Sequence, residues 1–483
     1  MSQTTISVRP DDQIGTISPR LYGQFAEHLG RCCYDGLWAG DRFRADVIGA
    51  LRALPVPLLR WPGGCYADHY HWRDGIGPSA RRPRRLGMSC GSQVEDDNSL
   101  GTHEFLELCA AIGAEPYVAG NVGSGTPQEM CDWLEYCNAS LDTSLSRERR
   151  TNGAAAPFGV KLWGVGNENW GCGGNFDPLD YAHEYRRFAT MLRHVDPSAE
   201  LIVCGHDDAW NARLIDGLAG HLNLADHLSV HRYWGRNGPA LDFDDDQYYS
   251  LLADAQAVED FVQRTAELLR AANPRRRIGV ALDEWGVWHP EARLNPEDCD
   301  GCRAHPYEQP STLRDALAAA VALEGFHRQA QVLSLANLAQ VVNVLQSVVV
   351  TDDAGMFCTP TYHAFRLHAP HVGATAVRVD ATPADCLPDG SGGVSATASS
   401  SAGRLAVTLI NRHLHNGADV CVDMGIEIAE ASAELLTADS PRATNSMEDP
   451  GRVAPRPLQV RTENRHACRI ELPPHSMATL RIT

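Results

Sequence analysis

Two glutamates stand where an apolar run turns polar, a placement suited to acid–base or nucleophilic work. In VKLWGVGNENWGCGG, from Val160 to Gly174, the apolar residues Val160, Leu162, Trp163 and Val165 give way to Asn167, Glu168, Asn169 and Trp170. In IGVALDEWGVW, from Ile278 to Trp288, a second run ends on Glu284, followed by Trp285, Gly286 and Trp288. Such runs suit strands covered on both faces, and the glycines after them allow tight turns and close approach of a ligand. Two strand ends that each deliver one carboxylate meet the demand of glycosidic bond cleavage. One group protonates the leaving oxygen, and the other attacks or stabilises the oxocarbenium-like centre. A lone glutamate after a strand is ordinarily a surface residue. Repetition of the pattern, with amides and indoles beside the carboxylates, favours the chemical reading.

The elements that must position these groups alternate in type. Leu21–Gly30 (LYGQFAEHLG) ends a short strand near a third carboxylate, Glu27, whose alternative is a rim salt bridge with Arg31 or His28. A helix over Asp46–Leu54 stops at Pro55, and a strand over Val56–Trp61 is closed by Pro62-Gly63-Gly64. Helices are predicted over Thr102–Ile112, over Pro127–Asn138 with Thr126 as cap, over Pro178–His194, near Ala212–Gly220, over Tyr248–Ala271 and over Ser311–Gln329. Eight strands, ending near Glu27, Trp61, Asn121, Glu168, Gly205, Tyr233, Glu284 and Val350, interleave with them. That alternation predicts a (β/α)8 TIM barrel of class α/β.

After about His371 helical periodicity vanishes. Asp385–Gly403 reads as a flexible loop by composition, while Arg404–Asn411, Ala418–Met424 and Ala478–Ile482 alternate as strands. The expected organisation is a barrel over 19–370 and a C-terminal all-β sandwich over 371–483, joined by an N-terminal strand within 1–18.

At 483 residues the chain exceeds the usual size of one hydrophobic core. A formal charge of −19 argues against nucleic acid and anionic membrane as partners. The start, MSQTTISVRP, lacks a basic segment followed by an apolar stretch, so the expectation is a cytoplasmic protein. The most apolar segment, Val332–Val350, is broken by Asn337, Gln340, Asn343 and Gln346, which suits a core element better than a membrane span. Fifteen irregularly spaced cysteines read as reduced thiols. Cys299 and Cys302 form one CxxC without a second beside it, weak support for a metal. His28, His69, His71 and His231 lack metal-ligand spacing and read as structural or sugar-contacting residues.

Taken together, LYGQFAEHLGR, LRWPGG, HWRDGIGP, GVGNENWG, SVHRYW and ALDEWGVW, in this order, resemble glycoside hydrolase family 51, the α-L-arabinofuranosidases. The resemblance spans nearly the whole chain. It implies a barrel with a C-terminal β-sandwich, hydrolysis with retained configuration, no metal or organic cofactor, and a homo-oligomer, typically a hexamer. By that match Glu168 is the acid/base and Glu284 the nucleophile. Glu27 and Asn167 match positions that bind arabinose hydroxyls, and Tyr233 matches the tyrosine beside the nucleophile. Cys65 stands where many members carry Asn and cannot offer an amide's hydrogen bonds. Trp170 and Trp285 are expected to present aromatic faces to the sugar.

The substrates implied are arabinan, arabinoxylan or arabino-oligosaccharides, cut at terminal non-reducing α-L-arabinofuranosyl groups. Two other readings stay open from sequence: a retaining β-xylosidase or β-glucanase using the same carboxylates, and a non-catalytic carbohydrate-binding barrel.

Overall fold

The computed structural model describes residues 3–235, 237–292 and 307–483. Eight parallel strands close into a barrel in sequence order: β1 (Gly23–Phe25), β2 (Leu58–Trp61), β3 (Glu115–Gly120), β4 (Leu162–Val165), β5 (Glu200–Cys204), β6 (His227–Trp234), β7 (Gly279–Val287) and β8 (Leu333–Ala339). Helices on the outside and side chains on the inside bury both faces of these strands, which is why β4 reads as an apolar run and β2 and β7 as apolar runs broken by Arg60 and by Asp283 and Glu284. Leu58, Tyr117, Leu162, Ile202, Ala281 and Leu335 form an interior layer of their own, a floor beneath the strand ends.

Helix limits follow local chemistry. Thr102–Ile112 and Pro127–Asn138 run over the predicted residues, and Thr126 Oγ1 accepts the Glu129 amide at the start of the second. The single helix expected over Tyr248–Ala271 is two, Asp245–Gln256 and Val258–Ala272, meeting at Ala257. Leu313–Arg328 is buried on every side save its last residue, as its alanine-rich sequence permits. Among the described residues no helix is long and apolar enough to cross a membrane.

The eighth strand stops at Ala339, well short of Val350. Beyond it the chain winds irregularly, with Asn343 and Leu345 at φ of 61° and 53°, to a hairpin of Val349–Thr351 with Met356–Cys358. Residues 339–349 are buried, and a buried irregular backbone needs partners for its polar groups. Backbone carbonyls supply them, Phe25 O to the Val341 amide and Tyr307 O to the Leu345 amide among them, while the Asn343 side chain ties the segment to Arg31 O and the Thr351 amide and the Gln346 side chain ties it to the Val287 amide and Asp315 O. The polar residues that interrupt this apolar segment therefore anchor it to its neighbours.

Ten of the remaining described strands form one ladder that folds into a β-sandwich around Ile6, Val8, Val407, Leu435, Ile470 and Leu480, and the others pair in small two-stranded sheets. The N-terminal strand, Thr4–Thr16, lies between Thr375–Thr382 (antiparallel) and Ala418–Asp423 (parallel). Within the stretch expected to be a flexible loop, Val394–Ser401 is a strand paired along its whole length with Arg404–Asn411. Its small polar side chains have partners: Thr397 Oγ1 lies 3.0 Å from His327 Nδ1, and Ser399 Oγ 2.8 Å from His371 Nδ1.

Candidate active site

A pocket of about 470 Å³ opens at the C-terminal ends of the barrel strands, lined by Glu27, Cys65, Cys90, Asn167, Glu168, Trp170, Tyr233, Glu284, Trp288 and Gln340 among others. It gathers residues from six strand ends: β1, β2, β4, β6, β7 and β8. Loops at this face of a parallel barrel converge on its axis while the strands hold them rigidly, so separate segments can meet at one point.

Glu284 lies within β7, held from two sides. Arg60 on β2 donates Nη1 to its Oε1 (2.7 Å), and Tyr233 on β6 donates its hydroxyl to Oε2 (2.7 Å). Burial, with the Glu284 charge next, raises the Tyr233 pKa well above the usual phenol value, so its proton stays available to Glu284. Arg60 also donates Nη2 to Asn167 Oδ1 (2.6 Å) and lies over the Phe25 ring, 4.6 Å from its centroid. Asp283, next to Glu284 in sequence, accepts from Tyr117 in the floor layer (2.7 Å). Register shifts in the β6–β7 and β7–β8 pairings accompany these two consecutive acids. A bulge of that kind re-aims side chains that a regular strand would send to opposite faces.

Glu168 lies on the loop after β4 at φ 41°. This left-handed backbone costs a glutamate on the order of 1–3 kcal/mol and persists only where its surroundings enforce it. Its Oε1 is 2.8 Å from His231 Nδ1, which is also 3.5 Å from Glu284 Oε2, while His231 Nε2 is 3.0 Å from Asp283 Oδ1. Burial alone would lower the His231 pKa. The charges of Glu284 and Asp283, with hydrogen bonds to Asp283 and Glu168, outweigh it and raise the pKa well above the usual imidazole value. His231 thus bridges the two glutamates, and one oxygen of each lies within 4.8 Å of the other.

Glu27 is buried and accepts from the Tyr66 amide (2.9 Å), Ser89 Oγ (2.9 Å) and Gln340 Nε2 (3.0 Å). Burial, with the Glu284 charge next, pushes its pKa up to about 7. The rim salt bridge is not formed: Arg31 pairs with Glu308 and His28 faces Asp96. Gly64 is required here, because a Cβ on it would sit 2.6 Å from Glu27 Oε1.

Two sequence expectations are corrected. Trp285 is fully buried outside the pocket, 5.0 Å from Phe326 and 6.0 Å from Phe365 by ring centroids, because the strand sends it outward to the helices after Glu284 faces in. Trp288 lines the pocket instead, beside Trp170, which stands there as expected and stacks on His206 at 3.8 Å. Cys65 is not a free thiol. It is bonded to Cys172, 107 residues away, so this wall of the pocket is a disulfide. Spacing could not reveal a pair that the fold alone brings together. The other described cysteines are free, whereas Cys299 and Cys302 lie outside the described residues.

Arg60, Asp283 and Gln340 were not singled out as site residues from sequence, and His231 was named only as one of four histidines that are structural or sugar-contacting. Arg60 and Asp283 carried a usable signal, since a charge inside an otherwise apolar strand must find an opposite charge when buried. Of the four histidines considered together, only His231 reaches the pocket carboxylates, while His71 pairs with Glu129.

Residues 50–247 match the family model for the alpha-L-arabinofuranosidase 1 domain, and residues 283–476 match that for the alpha-L-arabinofuranosidase C-terminal domain. A Bacteroides ovatus protein described as an intracellular exo-alpha-L-arabinofuranosidase is 39% identical over 99% of this chain and 95% of its own length. The crystal structure of a family 51 arabinofuranosidase from Xanthomonas axonopodis pv. citri superposes with a TM-score of 0.92, at 33% identity and full coverage of both chains. An alpha-L-arabinofuranosidase from Thermotoga maritima, in complex with arabinose, superposes with a TM-score of 0.88, at 30% identity and 99% coverage of both. The chain is a glycoside hydrolase and belongs to family 51, the α-L-arabinofuranosidases.

Proposed function

We propose that the chain removes terminal non-reducing α-L-arabinofuranosyl groups from arabinose-containing oligosaccharides and polysaccharides by double displacement, with Glu284 as nucleophile and Glu168 as acid/base. The observation that carries this reading is the approach of the two carboxylates across one pocket: one oxygen of each lies within 4.8 Å of the other, and His231 Nδ1 stands 2.8 Å from Glu168 and 3.5 Å from Glu284. Retaining enzymes hold the pair about 5–5.5 Å apart, inverting ones roughly 6.5–9.5 Å. In the first step Glu284, aimed by hydrogen bonds from Arg60 and Tyr233, attacks C1 while Glu168 passes its proton to the leaving oxygen. In the second, Glu168 takes a proton from water, which releases the sugar from Glu284.

Glu27, Gln340 and Asn167 supply hydrogen-bonding groups around the pocket for the sugar hydroxyls, and the disulfide, Trp170 and Trp288 supply apolar walls. A pocket of about 470 Å³ suits a chain end better than the middle of a polymer, in keeping with exo action. The B. ovatus relative is named intracellular, which supports a cytoplasmic setting and short imported oligosaccharides as substrates. A homo-oligomer belongs to the same proposal, and light scattering that returns the single-chain mass at micromolar concentration removes it.

The test is hydrolysis of nitrophenyl α-L-arabinofuranoside in the presence of methanol. Retention gives methyl α-L-arabinofuranoside as the only methyl glycoside formed. The β-anomer would reassign the enzyme as inverting. A panel of nitrophenyl glycosides that showed preference for β-xyloside or β-glucoside would overturn the sugar assignment.

A further inference from the structure

The Cys65–Cys172 pair stands at the rim of the pocket on the Glu168 side. Cys65 opens the short helix Cys65–Asp68 after β2, and Cys172 lies on the loop after β4, four residues beyond Glu168. Their Cα atoms are 5.5 Å apart, and Cys172 Sγ is 3.8 Å from Glu168 Oε2. One sulfur from each cysteine and one oxygen of Glu168 all lie within 4.8 Å of one another. Cys65 is buried, Glu168 half-buried and Cys172 exposed, so the cluster is open to solvent on one side.

Two thiolates on a tetrahedral divalent ion, each at about 2.3 Å, sit roughly 3.8 Å from one another. Backbones this close reach that spread by side-chain rotation alone. Two sulfurs and a carboxylate, with the fourth position left to water on the exposed side, make a three-ligand set suited to a thiophilic ion such as Zn²⁺. The disulfide form offers no thiolate and cannot bind in this way. Reducing compartments keep most protein thiols free, and a disulfide that does form there is usually a redox-responsive one.

We propose that reduction of Cys65–Cys172 opens a soft-cation site made of both sulfurs and the Glu168 carboxylate, and that an ion bound there silences turnover. A thiolate of a dithiol reductant attacks the exposed Cys172 sulfur and expels Cys65 as a thiolate. The second thiol of the reductant then displaces Cys172, leaving two protein thiols and a cyclic disulfide. The ion binds the two sulfurs and the carboxylate as both thiol protons pass to the buffer. Binding rests on the cluster geometry alone. Silencing rests in addition on the acid/base reading of Glu168.

The experiment titrates Co²⁺, then Zn²⁺, into oxidised protein and into dithiol-reduced, desalted protein. The expected result is one equivalent of thiolate-to-cobalt charge-transfer absorption in the reduced form beyond that in the oxidised form. Turnover of nitrophenyl α-L-arabinofuranoside falls in proportion to the bound ion, and EDTA restores it. Because other thiols are present, Cys172→Ser decides the location: its reduced form must lack that equivalent, and its remaining turnover must not respond to Zn²⁺. Cys65→Ser gives the same comparison should Cys172→Ser fail to fold. Equal cobalt spectra from reduced wild type and both variants would overturn the site. Full occupancy with undiminished turnover would instead overturn the silencing and, with it, the acid/base role of Glu168.

Discussion

The two carboxylates of the proposed pair sit in unlike surroundings. The Glu284 side chain is 7% exposed, inside a strand of nine buried residues, with Arg60 on one oxygen and Tyr233 on the other. The Glu168 side chain is 20% exposed, on a loop in left-handed backbone, with His231 on one oxygen and the Cys172 sulfur 3.8 Å from the other. A nucleophile must stay ionised and aimed, which favours donors on both oxygens and a rigid strand. An acid/base must trade a proton with the leaving group and then with water, which requires one oxygen open to the pocket. The asymmetry fits the two proposed roles as assigned better than it fits them exchanged.

The comparison breaks first, and furthest, at Glu284. Glu284→Ala is expected to lower kcat/KM on the order of 10⁵-fold for every leaving group, because no covalent intermediate can form. Steady-state kinetics across nitrophenyl and dinitrophenyl arabinofuranosides check it. Activity that depended on the leaving group would contradict the fixed-nucleophile side of the argument.

Glu168→Ala should cost less and should discriminate. Loss of general acid help is worth roughly 10²–10⁴-fold for leaving groups that need a proton. Dinitrophenolate needs none, so its first step should proceed while glycosyl-enzyme accumulates. Azide should restore turnover and yield an arabinosyl azide of retained configuration. Azide rescue with retention in the Glu284 variant, and none in the Glu168 variant, would exchange the two roles.

The rigidity of the Glu284 strand can be separated from sugar contact through its two tryptophans. Trp285→Ala empties a core position between helices and should destabilise the fold by about 3–5 kcal/mol in thermal or denaturant unfolding. Trp288→Ala should leave stability nearly unchanged and raise KM. The reverse pattern would return Trp285 to the pocket.

Legibility from sequence varied along the chain for physical reasons. The eight strands and the helices at Thr102–Ile112 and Pro127–Asn138 were readable because burial on two faces and capping residues write directly into local composition. The end of β8 was not. Its continuation stays buried while irregular, and Gln340, Asn343 and Gln346 looked like interruptions rather than scaffold and site. Val394–Ser401 was unreadable because its partners are histidines from the barrel side, a tertiary fact. Glu168, Glu284, Glu27, Asn167, Tyr233 and Trp170 meet in one pocket as their strand-end positions implied, and Cys65 lines it as half of a disulfide. Trp285 misled because an aromatic beside a strand carboxylate faces the other way.

The smallest expected effect concerns the reach of the Glu284 charge. Glu27 has a folded-state pKa of about 7 against an ordinary 4.5, raised by burial and then by Glu284. The folded state therefore holds more protons than the unfolded one between those values. Stability contributed by this group is full below pH 4.5, declines as pH rises towards about 7 and is constant above. The span is at most about 3 kcal/mol. Glu27→Gln should flatten that part of the stability curve relative to wild type. A curve unchanged in shape would show that Glu27 does not titrate there.

The division of labour itself is tested most directly by finding where the sugar is attached. Glu168→Ala, mixed with dinitrophenyl α-L-arabinofuranoside and quenched, should carry one anhydropentose by intact mass, and peptide mapping should locate it on Glu284. A stable adduct elsewhere, or saturating turnover with no adduct and an inverted product, would contradict the account.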